Sequence, residues 1–418
     1  MWVSNLTSTG EWPVTIVNQI LKQMPGLAKP QAKFIETLIA TFLALRGRVN
    51  YRNLSRYCHY SERTLARQFQ RQFDWPQFNL LAMRNVLNTN PNLIAAQDTT
   101  FIPKSGNKTY GLDHFFNACA SRAERGLELS TLAVVDVTRN CAYTLAATQT
   151  PPQQELAKTD KEQSRVDFYL AQLRLHRQLL PASVKYLAAD GFYAKLKYVD
   201  GVRACDLHLI TKLRVDANLR YLYNGPRPKR RGRPKLYDGK VNFADLNRFD
   251  SLGAVEEAEH LHLYTAVLYH IRLKRRLRVV VVLSLQDPNK PRFVVLASTD
   301  TELDGRELYR LYRARFQIEF IFRDAKQFTG LSDCQSRKKE ALDFHFNASL
   351  ATLNLARVEA VSSHQPAERL IFSMATRKQL AFNERFIKVI SEKLAFDLTA
   401  ILNHEAYDEL KTYGAIAA

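Results

Sequence analysis

No apolar stretch in the 418-residue chain approaches the roughly 18 residues that a membrane-spanning helix needs. The longest run, Val279 to Leu285, comes just after Arg275, Arg276 and Arg278 and reads as a strand. The N-terminus, Met1 to Gln19, lacks the basic-then-apolar order of a signal peptide. Cysteine is scarce as well. Cys58, Cys119, Cys141, Cys205 and Cys334 are odd in number, scattered, and form no Cys-x-x-Cys pair. That argues against a disulfide framework or a thiolate zinc site and for free thiols in a reducing compartment. There is no internal repeat and no low-complexity tract. Acidic residues are also outnumbered: 41 Asp plus Glu face 60 Lys plus Arg, a formal charge of +19. Such an excess favours a polyanionic partner, and with no membrane signal the expected partner is double-stranded DNA, met in the cytoplasm.

What is present describes a folded chain of several parts. Hydrophobic residues make up 46% and aromatics 11%, enough for a substantial core, and the length suits roughly two to four domains. Residues 1–90 read as a helical, DNA-binding region. Within residues 52–73, Leu54 and Tyr57 suit a short helix, His59-Tyr60-Ser61 a turn, and Glu62 to Phe73 a second helix. There Leu65, Phe69 and Phe73 recur every fourth residue and face a core, while Arg63, Arg67 and Arg71 do so on roughly the opposite face. A helix-turn-helix reader presents itself this way; the alternative is a solvated helix in a small bundle.

From Pro91 the texture turns to strands. Leu93–Thr100, Glu128–Val137 and Cys141–Ala147 read as strands, Asp160 to Leu180 as a helix, Lys185–Ala189 as a strand, Phe192 to Val202 as a helix and Asp206–Leu213 as a strand. This predicts a mixed α/β core over 91–213 and 299–340. Residues 214–298 read as a β-rich insertion carrying a basic loop at 226–235, with strands at His260–Leu273, Leu277–Leu285 and Arg292–Ser298. A helix is expected from Asp304 to about Phe328, and residues 341–418 as a helical C-terminal region suited to dimerisation.

The helix at Leu311–Lys326 carries the chemistry. Tyr312, Arg315, Glu319 and Lys326 fall within a sector roughly 60° wide at about 100° per residue. A carboxylate flanked by two cations and a phenol suits a site that holds metal and grips phosphate. Taken alone, Glu319 is an i, i+4 partner for Arg315. Two strand-end acids change that weighting: Asp98 closes Leu93-Ile94-Ala95-Ala96-Gln97-Asp98, and Asp190 closes Tyr186-Leu187-Ala188-Ala189-Asp190. A sheet can fix such carboxylates while leaving the ion open to substrate. Either aspartate singly could instead begin a turn or cap a helix.

The sequence resembles the DDE transposases of bacterial insertion sequences, whose catalytic fold is ribonuclease-H-like. The closest branch is the insertion-sequence-four group, with the signature Tyr-x2-Arg-x3-Glu-x6-Lys that Tyr312, Arg315, Glu319 and Lys326 match without a gap. Gln97-Asp98-Thr99-Thr100 with Lys104-Ser105-Gly106, and Asp343-Phe344-His345-Phe346-Asn347, resemble the same group. The resemblance covers roughly residues 90 to 360. It implies an α/β (α+β overall) ribonuclease-H-like mixed sheet with a β-rich insertion, flanked by helical N- and C-terminal regions. It makes Asp98, Asp190 and Glu319 the catalytic and metal-ligating residues for two Mg²⁺ ions per site, with Mn²⁺ substituting. Tyr312, Arg315 and Lys326 would grip DNA phosphates. The implied reaction is cut-and-paste transposition: hydrolysis at the terminal inverted repeats, then attack of the 3′-hydroxyl on target DNA by a homodimer. Several relatives hold a flipped base with a tryptophan of the insertion. This chain departs there, since Trp2, Trp12 and Trp75 are all N-terminal, leaving Tyr264, Tyr269 or Phe293 to stack.

Other basic residues are further DNA contacts: Lys104 and Lys108, and Arg230, Arg231 and Arg233 in a stretch where Arg231-Gly232-Arg233-Pro234 is similar to an AT-hook core. Asp136 also ends an apolar strand but leads into the hairpin-like turn Val137-Thr138-Arg139-Asn140, which favours a structural role. Glu256, Glu257, Glu259, His260 and His262 have no diagnostic spacing and read as a solvated face. The competing functions are a transposase-derived DNA-binding protein and a structure-specific nuclease without strand transfer.

Overall fold

A computed structural model describes residues 14–87, 92–157, 163–226, 234–287, 292–362 and 372–416. Five helices precede any strand: α1 (Val14–Gln23), α2 (Lys29–Ala44), α3 (Tyr51–Tyr57), α4 (Glu62–Gln68) and α5 (Trp75–Leu87). Their starts are set locally. Pro30 lies in the first turn of α2, Asn50 accepts from the Asn53 amide ahead of α3, and Ser61 accepts from the Thr64 amide at 3.2 Å ahead of α4. The helix expected to reach Phe73 stops at Gln68, where the chain turns and seats the fully buried Phe69 against Phe34, Tyr51 and Phe344. Arg63 and Arg67 therefore lie on α4 and Arg71 beyond it, all three exposed.

The chain then forms β1 (Leu93–Pro103), β2 (Asp113–Asn117), β3 (Arg122–Asp136), β4 (Cys141–Gln149), the short α6 (Gln153–Leu156), α7 (Arg165–His176), β5 (Tyr186–Ala189), α8 (Leu196–Arg203) and β6 (His208–Leu213). β1 lies antiparallel to β3, and β5 and β6 continue the sheet parallel to β1. Four antiparallel strands followed by two parallel ones, joined through helices, is a mixed arrangement consistent with a ribonuclease-H-like fold. The helix expected from Asp160 starts only at Arg165, held by a Ser164–Asp167 capping box. The one expected from Phe192 opens as a 3-10 turn (Gly191–Tyr193) before α8.

Six further strands follow: β7 (Leu219–Leu222), β8 (Tyr237–Lys240), β9 (Asp250–Val255), β10 (Ala258–His270), β11 (Arg275–Ser284) and β12 (Arg292–Ser298). Residues 214–298 are β-rich, and they are joined to the core: β12 pairs with β6 from Val295↔Leu213 to Ser298↔Ile210. All twelve strands make one sheet, ordered β2-β3-β1-β5-β6-β12-β11-β10-β7-β8, with β4 on β3 and β9 on β10.

Alternation along β1 assigns its two faces. Leu93 and Ala95 join a cluster with Tyr169, Leu170, Tyr198 and Val202 of α7 and α8, whereas Ile94, Ala96 and Ile102 join one formed with the remaining helices. Those are α9 (Gly305–Ala314), α10 (Gln317–Phe328), α11 (Lys339–Ser362), α12 (Met374–Leu394), α13 (Leu398–Leu402) and α14 (Tyr407–Thr412). The N-terminal helices share this second cluster, through Phe34, Phe42, Leu65, Phe69 and Trp75 beside Ile318, Phe344 and Phe346. The expected Asp304–Phe328 helix is two helices. At Arg315–Phe316 the bonds tighten to i→i−3, with Arg315 N–H donating to Tyr312, Phe316 to Arg313 and Glu319 to Phe316.

Candidate active site

Sheet register brings two of the acids together. β1 and β5 run parallel with Ala96 opposite Ala188, so two residues on, and on the same face, Asp98 and Asp190 stand side by side. β1 does not end at Asp98 as the sequence suggests. Thr99, Thr100, Phe101 and Ile102 are good strand formers and continue its pairing with β3, leaving Asp98 inside the strand opposite Thr131. Asp190 stands immediately after β5, at the start of the 3-10 turn. Its side chain accepts from the Phe192 amide at 2.8 Å, and its carbonyl accepts from Thr211 Oγ1 at 2.7 Å.

The third acid arrives on a helix. Arg315, with a side chain only 6% exposed, donates through Nη1 to Asp98 Oδ2 at 3.1 Å and through Nη2 to Glu319 Oε1 at 2.9 Å. The i, i+4 pair expected from helix spacing is present, and the same guanidinium reaches a strand 217 residues away. Glu319 itself is half-exposed, so its free oxygen faces the open side. Burial pushes the Asp98 carboxyl up to about 7; Arg315 and the Thr99 amide pull against this, while Asp190 and Glu319 add to it. Tyr312 belongs to the group too. Burial raises its hydroxyl's pKa, Arg315 opposes, and Asp190 and Glu319 lie near enough to add to it. Lys326 shares α10 with Glu319, beyond the break at Arg315–Phe316. Burial depresses its ammonium pKa, and the neighbour that opposes this is Cys119 at the β2–β3 turn, two helical turns from Glu319.

Several surrounding contacts had no local signal in the sequence. Gln317 Nε2 donates to Asn140 Oδ1 at 2.9 Å, fixing the start of α10 to the β3–β4 turn. Asp324 accepts from Arg357 at 3.0 Å, both buried, and Arg357 also donates to the Ala142 carbonyl at 2.6 Å. Lys104 donates to the Cys334 carbonyl and so is tied to the loop after α10, while Lys108 is exposed. His345 Nε2 donates to Gly330 O at 2.7 Å in that same loop, so the two stretches flanking the signature converge there. An open groove of about 800 Å³ lies between the end of β1 and the β2–β3 hairpin, lined by Phe101, Lys104, His114, Arg122 and Arg125 among others. The charge at Arg122 and Arg125 was the one signal that could have revealed it.

Asp136 is fully buried and is paired with Arg139 at 2.9 Å, a structural contact as expected. Glu256, Glu257, Glu259 and His260 are exposed, with Glu257 reaching Arg313 at 3.3 Å. Tyr269 packs on Tyr237 and Phe293 on Phe243 within the extended sheet, while Tyr264 is half-buried. Arg230, Arg231 and Arg233 lie outside the described residues.

The donor set can be weighed against a divalent ion by its chemistry and spacing. Three carboxylates of hard oxygen chemistry stand in one electrostatic group, one of them pushed toward its neutral form by burial with smaller contributions from the other two, and the Thr131 Oγ1 facing Asp98 is buried without a hydrogen-bond partner. That composition fits such an ion. The spacing does not yet close around one: among the described residues no three His, Cys, Asp or Glu side chains form a metal-holding group, and the Arg315 guanidinium bridges Asp98 and Glu319. No helix among the described residues is long and apolar enough to cross a membrane.

No curated protein matches the chain in sequence. The family described as DDE superfamily endonuclease matches residues 23–267, a span that takes in Asp98 and Asp190 but stops short of Glu319. With more than half of its length matched, and with two neighbouring aspartates on a mixed sheet joined by a helix-borne glutamate, the chain belongs to the DDE superfamily of endonucleases.

Proposed function

We propose that this DDE-superfamily endonuclease is a cut-and-paste DNA transposase of the insertion-sequence-four type. It would bind the terminal inverted repeats of its element, hydrolyse the phosphodiester at each end and join the freed 3′-hydroxyl to target DNA. The observation that carries the reading is the guanidinium of Arg315 reaching Asp98 and Glu319 at once, beside an Asp190 that sheet register sets next to Asp98. Asp98, Asp190 and Glu319 would hold Mg²⁺, or Mn²⁺ in its place, two ions per site. Bound there, such ions activate the attacking oxygen and stabilise the leaving one. Arg315 and Tyr312 would position the phosphate beside the acids, with Lys326 gripping it further along α10. Arg63, Arg67 and Arg71, exposed at and beyond α4, together with Lys104 and Lys108, would hold more distant backbone. Arg230, Arg231 and Arg233 would do the same from the basic loop.

Two ends must be paired, so a homodimer on DNA is proposed, working in the cytoplasm at the nucleoid. The apolar side chains that α12 and the residues after it expose, Phe386, Leu394, Phe396 and Tyr413, support a contact there. Mass measurement of the DNA complex should give two chains per pair of ends; a strictly monomeric complex rejects the dimer.

The test is cleavage of a duplex carrying the element's own end, with Mg²⁺ or Mn²⁺, by wild type and Glu319→Gln. Nicking at the end should be metal-dependent and fall by about a hundredfold or more in the variant while DNA binding persists. Binding without cleavage in either metal would make the chain a transposase-derived DNA-binding protein. Cleavage indifferent to the inverted repeat would make it a structure-specific nuclease.

A further inference from the structure

We infer that Arg315 is the resting counter-ion of the acidic cluster, and that its transfer from carboxylate to DNA phosphate couples DNA binding to metal binding. This rests on the reading of Asp98, Asp190 and Glu319 as metal ligands. One guanidinium spans Asp98 Oδ2 at 3.1 Å and Glu319 Oε1 at 2.9 Å, using oxygens that an ion would need. A fork of this kind suits carboxylate and phosphate equally, so the same side chain can serve either. Its Nε–H is buried without a hydrogen-bond partner, so this position leaves one of its donors unmet. The residue also sits at the junction of α9 and α10. It packs on the ring of Phe316 at 4.9 Å, and that ring is 45% exposed, so a short swing along it leads toward solvent. With Arg315 in place, one positive charge holds two of the three carboxylates; once it leaves, Asp98 and Glu319 are released together. DNA phosphate then favours the metal-ready cluster, and by linkage the metal favours DNA by the same factor.

The experiment measures Mn²⁺ binding to the full chain by the paramagnetic signal of the free ion, without DNA and with a short duplex. Arg315→Gln should bind Mn²⁺ roughly tenfold more tightly than wild type without DNA, the scale of one hydrogen bond to a charged group. The duplex should tighten Mn²⁺ binding in wild type and do so less in the variant. Arg315→Lys keeps a cation but cannot bridge two carboxylates through a planar fork, so its affinity should fall between the two. If Arg315→Gln fails to give a folded circular dichroism spectrum, the lysine variant decides: affinity no tighter than wild type overturns the inference. Equal affinity in wild type and Arg315→Gln, with both lost on adding Glu319→Gln, also overturns it and leaves the metal site standing. Absence of Mn²⁺ binding in every form, Arg315→Gln included, overturns the metal-site reading itself.

Discussion

Asp324 and Arg357 show how a single buried charge can position a helix. Asp324 Oδ2 meets Arg357 at 3.0 Å, both side chains are almost fully enclosed, and the same guanidinium holds the Ala142 carbonyl on β4. Removing one partner strands the other in the core. Asp324→Ala should therefore lower stability by about 3–5 kcal/mol in chemical unfolding, a cost far above that of an exposed ion pair. A loss within the range of an exposed pair would mean that water reaches Arg357. At this scale the sequence was informative where chemistry is local. Asp190, Arg315 and Glu319 could be named from strand and helix positions, whereas Asp98, read as a strand end, lies inside β1; the Arg315 guanidinium holds Asp98 and Glu319, and Asp190 acts on Asp98 beside them. The link from Arg315 to Asp98 could not be read, because residues 217 apart leave no periodic trace.

Among the elements, the loop after α10 is tightly packed. Gly330 has φ +71°, and a Cβ there would lie 2.4 Å from Val49 and 2.9 Å from Asp333 Oδ2. Gly330→Ala should cost about 2 kcal/mol or more, read as a lowered midpoint in thermal unfolding, since strain and overlap act together. α11, which packs against this loop, carries Asp343, whose carboxyl burial pushes up to about 6 with Lys339 opposing. A carboxyl raised on folding keeps its proton in the native chain while the unfolded chain has lost it, so native stability falls as pH rises from about 4 to about 6. Asp343→Asn should be the more stable form above pH 6, by on the order of 2 kcal/mol, with the advantage shrinking as pH falls toward 4. Thermal melts across that range would show it, and a gap independent of pH would reject it. Strand order in the core was readable because β-branched runs and alternation are local. The break between α9 and α10 was not, since neither Gly nor Pro stands at Arg315–Phe316. β2 and β7 to β9 are short or carry glycine and charge, so they gave no strand signal.

For the whole molecule, two boundaries suggested by composition are crossed by packing. β12 hydrogen-bonds to β6, so the β-rich segment lengthens the core sheet. α2, α4 and α5 share a single apolar cluster with α10 and α11, including the contacts of Phe34, Phe69 and Trp75 with Phe344. A chain beginning at Pro91 would expose that face, and should be insoluble or lack a cooperative melt. A soluble, cooperatively folded fragment would show that the first ninety residues dock on a core that is complete without them. A basic run with turn residues is legible in any sequence; the fusion of two cores is not, because each half shows only an apolar stripe and never its partner.

That fusion has a mechanical consequence. On the proposed reading α4 touches DNA at one place and the acids cut at another, and the described residues of α4 and α10 are packed into one apolar cluster. The protein then behaves as a gauge block. The number of base pairs between recognised sequence and scissile bond is set by solid geometry, and each added pair would turn the target bond by about a tenth of a helical turn out of reach. Tolerance for altered spacing would have to come from bending or twisting of the duplex, whose stiffness becomes the limit on which element ends this chain can process.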